Sequence, residues 1–220
     1  MLTARGELEL MAIKKSDLYS SLWKLCDELR GGMDASQYKD YVLVLLFVKY
    51  VSDRAGHDDS LLDVPKGGSF KDLVALKGKT NIGDGVNKVI GKLAEANDLR
   101  GVIDVADFND DSKLGKAQDM VNRVTNLIAI FENPALDFSG NTADGDDLLG
   151  DAYEYLMRNF ATESGKSKGQ FYTPAEVSRI MASVIGINKA KNQKETIYDP
   201  TCGSGSLLLK AHDLAKTATG

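Results

Sequence analysis

The residues best suited to chemistry lie near the end of the chain, in Ile197-Tyr198-Asp199-Pro200-Thr201-Cys202-Gly203-Ser204-Gly205-Ser206-Leu207-Leu208. Two glycines one residue apart let a backbone approach a ligand closely, and a helix that starts just after them turns free N–H groups toward an anion. Asp199 supplies a carboxylate that complements an ammonium, although an aspartate before proline is also a common turn opener. With Thr196-Ile197-Tyr198 read as a short buried strand, the turn sits at a strand's carboxyl end, a place to hold an anionic small molecule. Two familiar phosphate sites fail on spacing. A Walker loop needs Gly-Lys-Ser/Thr after four intervening residues, and here Ser206-Leu207-Leu208 follows the glycines; a dinucleotide turn needs a third glycine where this chain has Leu208.

What the spacing does match is an Asp-Pro followed by two residues and Gly-Ser-Gly, and Gly169-Gln170-Phe171-Tyr172-Thr173-Pro174 lies about 25 residues upstream. Together these resemble the modification subunit of type I restriction-modification systems, a family of N6-adenine DNA methyltransferases using S-adenosylmethionine. Leu149-Gly150-Asp151-Ala152-Tyr153-Glu154-Tyr155-Leu156 resembles the helix leading into this pair. The strong match covers about residues 147 to 211. The resemblance implies that Tyr172, Thr173 and Pro174 line the methionine end of the cofactor, flanked by Gln170, Phe171 and Ala175. It also implies that the backbone of Thr201, Cys202, Gly203, Ser204 and Gly205 forms the opposite wall, with Asp199 facing the amino-acid part. Many relatives have a third glycine at Ser206; serine is small and suits a helix start. The resemblance further implies a specificity subunit, a second modification subunit, a restriction subunit in the full complex, and double-stranded DNA bound through that complex.

The family's catalytic motif, Asn-Pro-Pro followed by Tyr or Phe, accepts hydrogen bonds from a flipped-out adenine and stacks on it. It does not occur here. The sole Asn-Pro, Asn133-Pro134, runs on into Ala135-Leu136 and reads as a helix stop. No catalytic residue is therefore assigned, and the expectation is a piece of a larger protein, inactive alone. His57 and His212 lack partners at metal-ligand spacing, so no metal site is expected. Cys202 reads as pocket lining, and Trp23 as core or interface packing.

Elements that could position this pocket follow from hydrophobic spacing. Helices are expected over Ser16 to Arg30, capped by Ser16 and stopped by Gly31-Gly32; over Ser36 to Asp53, apolar nearly all round; and around Ile82 to Leu93, Met120 to Phe131 and Leu148 to Phe160. The acidic stretch from Asn97 to Gly115 reads as a solvated connector. Ser164-Gly-Lys-Ser-Lys-Gly169 has no apolar residue and reads as a linker. Beyond it, Thr173 is placed to cap a helix with Pro174 at its first position, Val177, Ile180, Met181, Val184 and Ile185 as its apolar face, and Gly186 as its stop. A second helix is expected from Ser206 to Lys216. The fold class is thus a mainly helical amino-terminal domain, residues 1–163, followed by the start of an α/β, Rossmann-like S-adenosylmethionine-dependent methyltransferase domain, residues 164–220, with its sheet truncated.

Composition agrees with this division. A length of 220 residues with 43% hydrophobic residues is enough for a buried core and one or two domains. The net charge of -5 disfavours a chain that grips nucleic acid unaided, so DNA contact must be local or borrowed from a partner. Cys26 and Cys202 make no disulfide framework or metal pattern. The longest apolar run, Tyr41 to Val48, falls far short of the roughly 20 residues that span a bilayer. A cytoplasmic protein without membrane contact is expected.

Overall fold

The computed structural model describes residues 15–29, 35–57, 60, 62–139, 142–143, 146–163, 173–192, 194–203 and 205–219. Two compact units divide the chain, Met1–Leu156 and Met157–Gly220. The division falls within a helix, upstream of the Ser164–Gly169 tract, which lies outside the described residues.

The first unit is built on helix α2, Ala35–Arg54. Tyr38, Tyr41, Val42, Val44, Leu45, Leu46, Val48 and Val51 are all buried, so this helix is packed on nearly every side, as its composition requires. α1 (Lys15–Leu29), α3 (Phe70–Val74) and α6 (Gln118–Phe131) pack against it. α4 (Ile82–Ala96) packs on α3 and α6, and α5 (Asp111–Leu114) on α6. The two short helices α3 and α5 fall where the sequence reading placed none. α3 is held by a capping box in which the Ser69 hydroxyl and the Asp72 carboxylate each accept from the other's backbone N–H.

Two polar side chains interrupt the apolar surface of α2, and they satisfy each other. Lys49, 9% exposed, pairs one turn along the helix with Asp53 and lies 5.5 Å from the Phe70 ring centroid. The Phe138 N–H donates to Asp53 Oδ2 at 3.0 Å, and Arg54 donates to the Ser139 carbonyl at 3.1 Å. The segment after α6 is thereby tied to the end of α2.

Two expectations for this unit need correction, and a third falls outside the described residues. Ser16 is not a cap, because the helix is already under way at Lys15; its hydroxyl donates instead to Asp17 at 3.4 Å. Gly31-Gly32 lies outside the described residues. The acidic stretch after α4 is not a freely solvated connector: Phe108 and Leu114 are fully buried. Phe108 meets Tyr41 edge to face at 5.1 Å, and the Tyr41 hydroxyl donates to the Asp107 carbonyl at 2.9 Å. Periodicity could not reveal this, because single apolar anchors spaced along a loop have no period.

Next come β1 (Thr142–Ala143) and β2 (Asp146–Asp147), an antiparallel pair with Thr142 opposite Asp147. α7 (Leu148–Glu163) follows and runs across the division between units. In the second unit, α8 (Ala175–Val184) packs on α9 (Ser206–Thr219), and a 3-10 turn at Ile187–Lys189 packs on both. The expected strand is not formed. Residues 195–199 carry no strand pairing, and Ile197 and Tyr198 are 41% and 86% exposed. A strand requires a neighbour to complete its ladder, and among the described residues none lies beside it. The only sheet described is the β1–β2 pair, so the observed architecture is helical.

The buried pair and the buried phenol each have a measurable consequence. Asp53→Ala leaves Lys49 buried without its partner and should cost about 3 kcal/mol. Glu132→Ala, which breaks the half-exposed Lys77–Glu132 pair, should cost under about 1 kcal/mol. Urea unfolding followed by fluorescence of Trp23, the single tryptophan, would compare them; equal midpoints would show that Lys49 finds another partner. Burial, followed by the charges of Asp110, Asp107 and Asp40, pushes the Tyr41 hydroxyl up to about 12 from 10.0. Between those values the unfolded chain loses this proton and the folded chain keeps it, so stability should fall as pH rises through that window. Ultraviolet titration of the eight tyrosines should show one late step that Tyr41→Phe removes.

Candidate functional site

The glycine turn is placed by the two helices of the second unit. α9 begins at Ser206, directly after Gly205, whose carbonyl accepts from the Leu209 N–H at 3.0 Å. Gly205 thus closes the first turn of the helix as a capping residue does. Its own N–H donates to the Cys202 carbonyl at 2.7 Å. Gly203 and Gly205 take φ of +51° and +76°, the left-handed region that glycine enters without strain. No other residue crowds Gly205: a Cβ placed there would meet nothing within 4 Å. The glycines therefore serve backbone conformation and leave open space beside the chain, as a close-approaching ligand requires.

Asp199 is committed in part to this turn. Its Oδ1 accepts from the Thr201 N–H at 2.8 Å and from the Thr201 hydroxyl at 3.0 Å, the local bonding of an aspartate turn. Thr201, Cys202 and Gly203 are exposed. Neither cysteine is in a disulfide.

The upstream segment enters the described structure at Thr173. Gln170, Phe171 and Tyr172 lie outside it, as does Ser204. Thr173 is exposed and is not the helix cap. Pro174 occupies that position with φ -54° and ψ 144°, and its carbonyl accepts from the Ser178 N–H at 3.0 Å. Proline has no side-chain acceptor for the first N–H groups, and Ala175 becomes the first helical residue. Gly186 ends the α8 region in the left-handed conformation at φ +81°. The structure thus describes both helices that border the glycine turn, but brings only Thr173, Pro174, Ala175, Asp199, Thr201, Cys202, Gly203 and Gly205 of the expected set into view.

The other residues weighed earlier take no part. Asn133 accepts at its side-chain oxygen from Ala135 N–H at 2.9 Å and opens a 3-10 turn, Pro134–Leu136, just past the end of α6. Its amide donates to the Ser21 hydroxyl at 3.0 Å. His57 and His212 are exposed, and among the described residues no group of three or more His, Cys, Asp or Glu could hold a metal. A groove of about 610 Å³ that the sequence reading missed runs along α1 and α6, lined by Lys24, Asp27, Glu28, Asn126, Ala129, Ile130 and Asn133. Asn126 donates to Glu28 within it at 3.0 Å. Its lining comes from two helices that share no motif, so no single stretch of sequence announces it.

Two family models match along the chain. Residues 18–131 match the family model of the HsdM N-terminal domain, and residues 144–220 match that of N-6 DNA methylase. The chain is 28% identical over 244 residues to the type I restriction enzyme MpnII methylase subunit of Mycoplasma pneumoniae, covering 90% of this chain and 44% of that protein. It is 26% identical over 209 residues to the EcoKI methylase subunit of Escherichia coli, covering 94% of this chain and 36% of the relative. A crystal structure of a type I restriction-modification system methyltransferase subunit from Streptococcus thermophilus superposes with a TM-score of 0.69 at 26% identity, over 93% of this chain and 51% of that one. The chain thus spans less than half the length of these curated relatives.

Asp199→Ala tests how tightly the turn is held. Loss of the two bonds to Thr201 should speed hydrogen exchange of the Thr201 amide by roughly two- to ten-fold, the worth of one modest hydrogen bond. An unchanged rate would mean that the Pro200 turn holds its shape without the carboxylate.

Proposed function

From the premise that this chain belongs to the HsdM N-terminal domain family, we propose that it forms the front part of a methyltransferase subunit that modifies adenine N6 in DNA. In this reading residues 1–163 are a helical assembly domain, and residues 164–220 open an α/β methyltransferase domain whose cofactor is S-adenosylmethionine. The supporting observation is the glycine turn: two positive-φ glycines, with open space beside Gly205, set against the first turn of α9.

The residues present suit such a cofactor. The cofactor supplies a methyl group on a positively charged sulfur, ready for transfer to a nucleophilic nitrogen. Gly203 and Gly205 let the backbone approach without a side chain intervening. Asp199 gives one carboxylate oxygen to Thr201, and its charge complements the ammonium of an amino-acid moiety. Thr201 and Cys202 lie beside the two glycines in the chain, and by the resemblance their backbone and that of Ser204 would continue the same wall. By the resemblance, Tyr172, Thr173 and Pro174 would line the methionine end, flanked by Gln170, Phe171 and Ala175. No residue of this chain is assigned to the methyl-transfer step, so the chain by itself is expected to bind rather than to catalyse. The partners in this reading are a specificity subunit that chooses the DNA sequence, a second modification subunit, a restriction subunit, and double-stranded DNA held by the assembly in the cytoplasm.

The test is methyl transfer to DNA by the protein at the full length of its relatives, together with a specificity subunit. Asp199→Ala and Gly205→Val should each reduce transfer by roughly a hundred-fold or more, because one removes the carboxylate and the other puts a branched side chain at φ +76° in the cofactor's path. Unaltered transfer would overturn the site assignment. Stable complex formation by residues 1–163, with no S-adenosylmethionine bound by the longer protein, would favour a purely assembling module instead.

A further inference from the structure

The chain from Asp107 to Ala117 is held by few groups and strained at its end. Between Asp107 and Asp119 only Phe108 and Leu114 are buried. The Phe108 ring meets Tyr41 edge to face, and its N–H donates to the Asn87 side-chain oxygen at 2.9 Å. The Asn87 amide donates in turn to Asp107 Oδ1 at 2.7 Å. On α4, the Phe108 carbonyl lies so close to Gly83 that a Cβ there would overlap it. Leu114 anchors the far end, where Arg123 of α6 donates to the Lys113 carbonyl at 3.1 Å. Ala117, the residue before α6, has φ +48° and ψ -117°. These angles belong to the first central residue of a type II′ turn, closed here by the Asp119 N–H donating to the Lys116 carbonyl at 3.0 Å. Glycine enters this conformation freely, whereas a Cβ strains it. Ala117 is exposed, so burial of its own side chain does not offset the strain. The anchors at Phe108 and Leu114 hold it instead, and the strain is relieved when they leave their seats.

We propose that residues 107–117 form a strap under tension, which swings away from α2 and α4 in one piece while the helices beneath it stay folded. Phe108 and Leu114 are its clasps, and Ala117 is its spring. A segment with two buried side chains opens at far lower cost than a helix such as α2, buried nearly all round, because few apolar contacts are lost. Opening uncovers the Tyr41 ring and frees its hydroxyl from the Asp107 carbonyl. The strap is therefore a two-position element built into the first unit, closed by packing and biased toward release by one backbone conformation.

The experiment follows hydrogen exchange of the full 220-residue chain, amide by amide, at several low urea concentrations. The Phe108 and Leu114 amides should exchange roughly ten-fold or more faster than those of Leu45 and Val48 in α2. Their exchange should depend little on urea, since a local opening exposes little surface. Ala117→Gly should slow both strap amides by roughly five- to ten-fold, the strain relieved less the extra freedom that glycine has in the open chain. Asn87→Ala, which unfastens Phe108, should speed exchange at Leu114 by roughly the same factor. Leu114's own bond, to the Asp110 carbonyl at 2.9 Å, is untouched by that substitution, so a response there shows that the strap moves in one piece. Strap amides that match Leu45 and Val48 in rate and urea dependence would overturn the proposal, because the segment then leaves only when the whole unit unfolds. Exchange that Ala117→Gly leaves unchanged or speeds would overturn it as well, by removing the spring.

Discussion

An apolar helix that cannot face water on any side dictates the first unit. α2 brings Tyr41, Val42, Leu45, Val48 and their neighbours out of water around most of its circumference, so it requires surrounding helices rather than a single supporting layer. That demand explains why α1, α3 and α6 all touch it and why α4 and α5 lie outside them. It also explains why the two polar groups at its end are so closely bound to each other. A lysine within such a surface is tolerated only with a partner, and Asp53 serves both Lys49 and the backbone of Phe138. The connection out of α6 is thus positioned by the need to satisfy α2.

That logic sets what could be read from the residues alone. α1, α4, α6 and α7 were legible because their cores repeat every three to four residues, a period that survives without knowledge of what packs against it, and α2 because a long run apolar nearly all round reads as a buried helix. α3 was not legible: a five-residue helix is too short to show a period, and its clearest signal is the Ser69–Asp72 box. Phe108 was hidden because its ring meets Tyr41, a residue far away in sequence. At the candidate site, the glycine positions were readable from spacing, since φ above zero is a local requirement. The strand expected at Thr196 to Tyr198 is not formed, because strand formation depends on a neighbour in space, which no local pattern contains.

α8 shows the same limit from the other direction. Its apolar repeat of Val177, Ile180, Met181 and Val184 does fall on one face, and that face stays exposed. Instead the smaller residues, Ser178 and Ala182, make the contact with α9. Close approach of two helices favours small side chains at the crossing, because bulky ones hold the axes apart. The larger stripe stays exposed, so a hydrophobic repeat identifies an apolar face without identifying what, if anything, covers it.

Charge separates the units as clearly as packing does. Residues 1–156 carry 18 Lys and Arg against 27 Asp and Glu, while residues 157–220 carry 9 against 5. The overall -5 therefore conceals a strongly acidic unit joined to a mildly basic one. A polyanion such as DNA is repelled by the first and attracted by the second, and at physiological ionic strength the distinction persists because screening acts over about 8 Å, less than the width of either unit. The weak net charge is then no argument against DNA contact by this chain as a whole. The positive excess lies in the unit that also holds the glycine turn, and the negative excess in the helical unit.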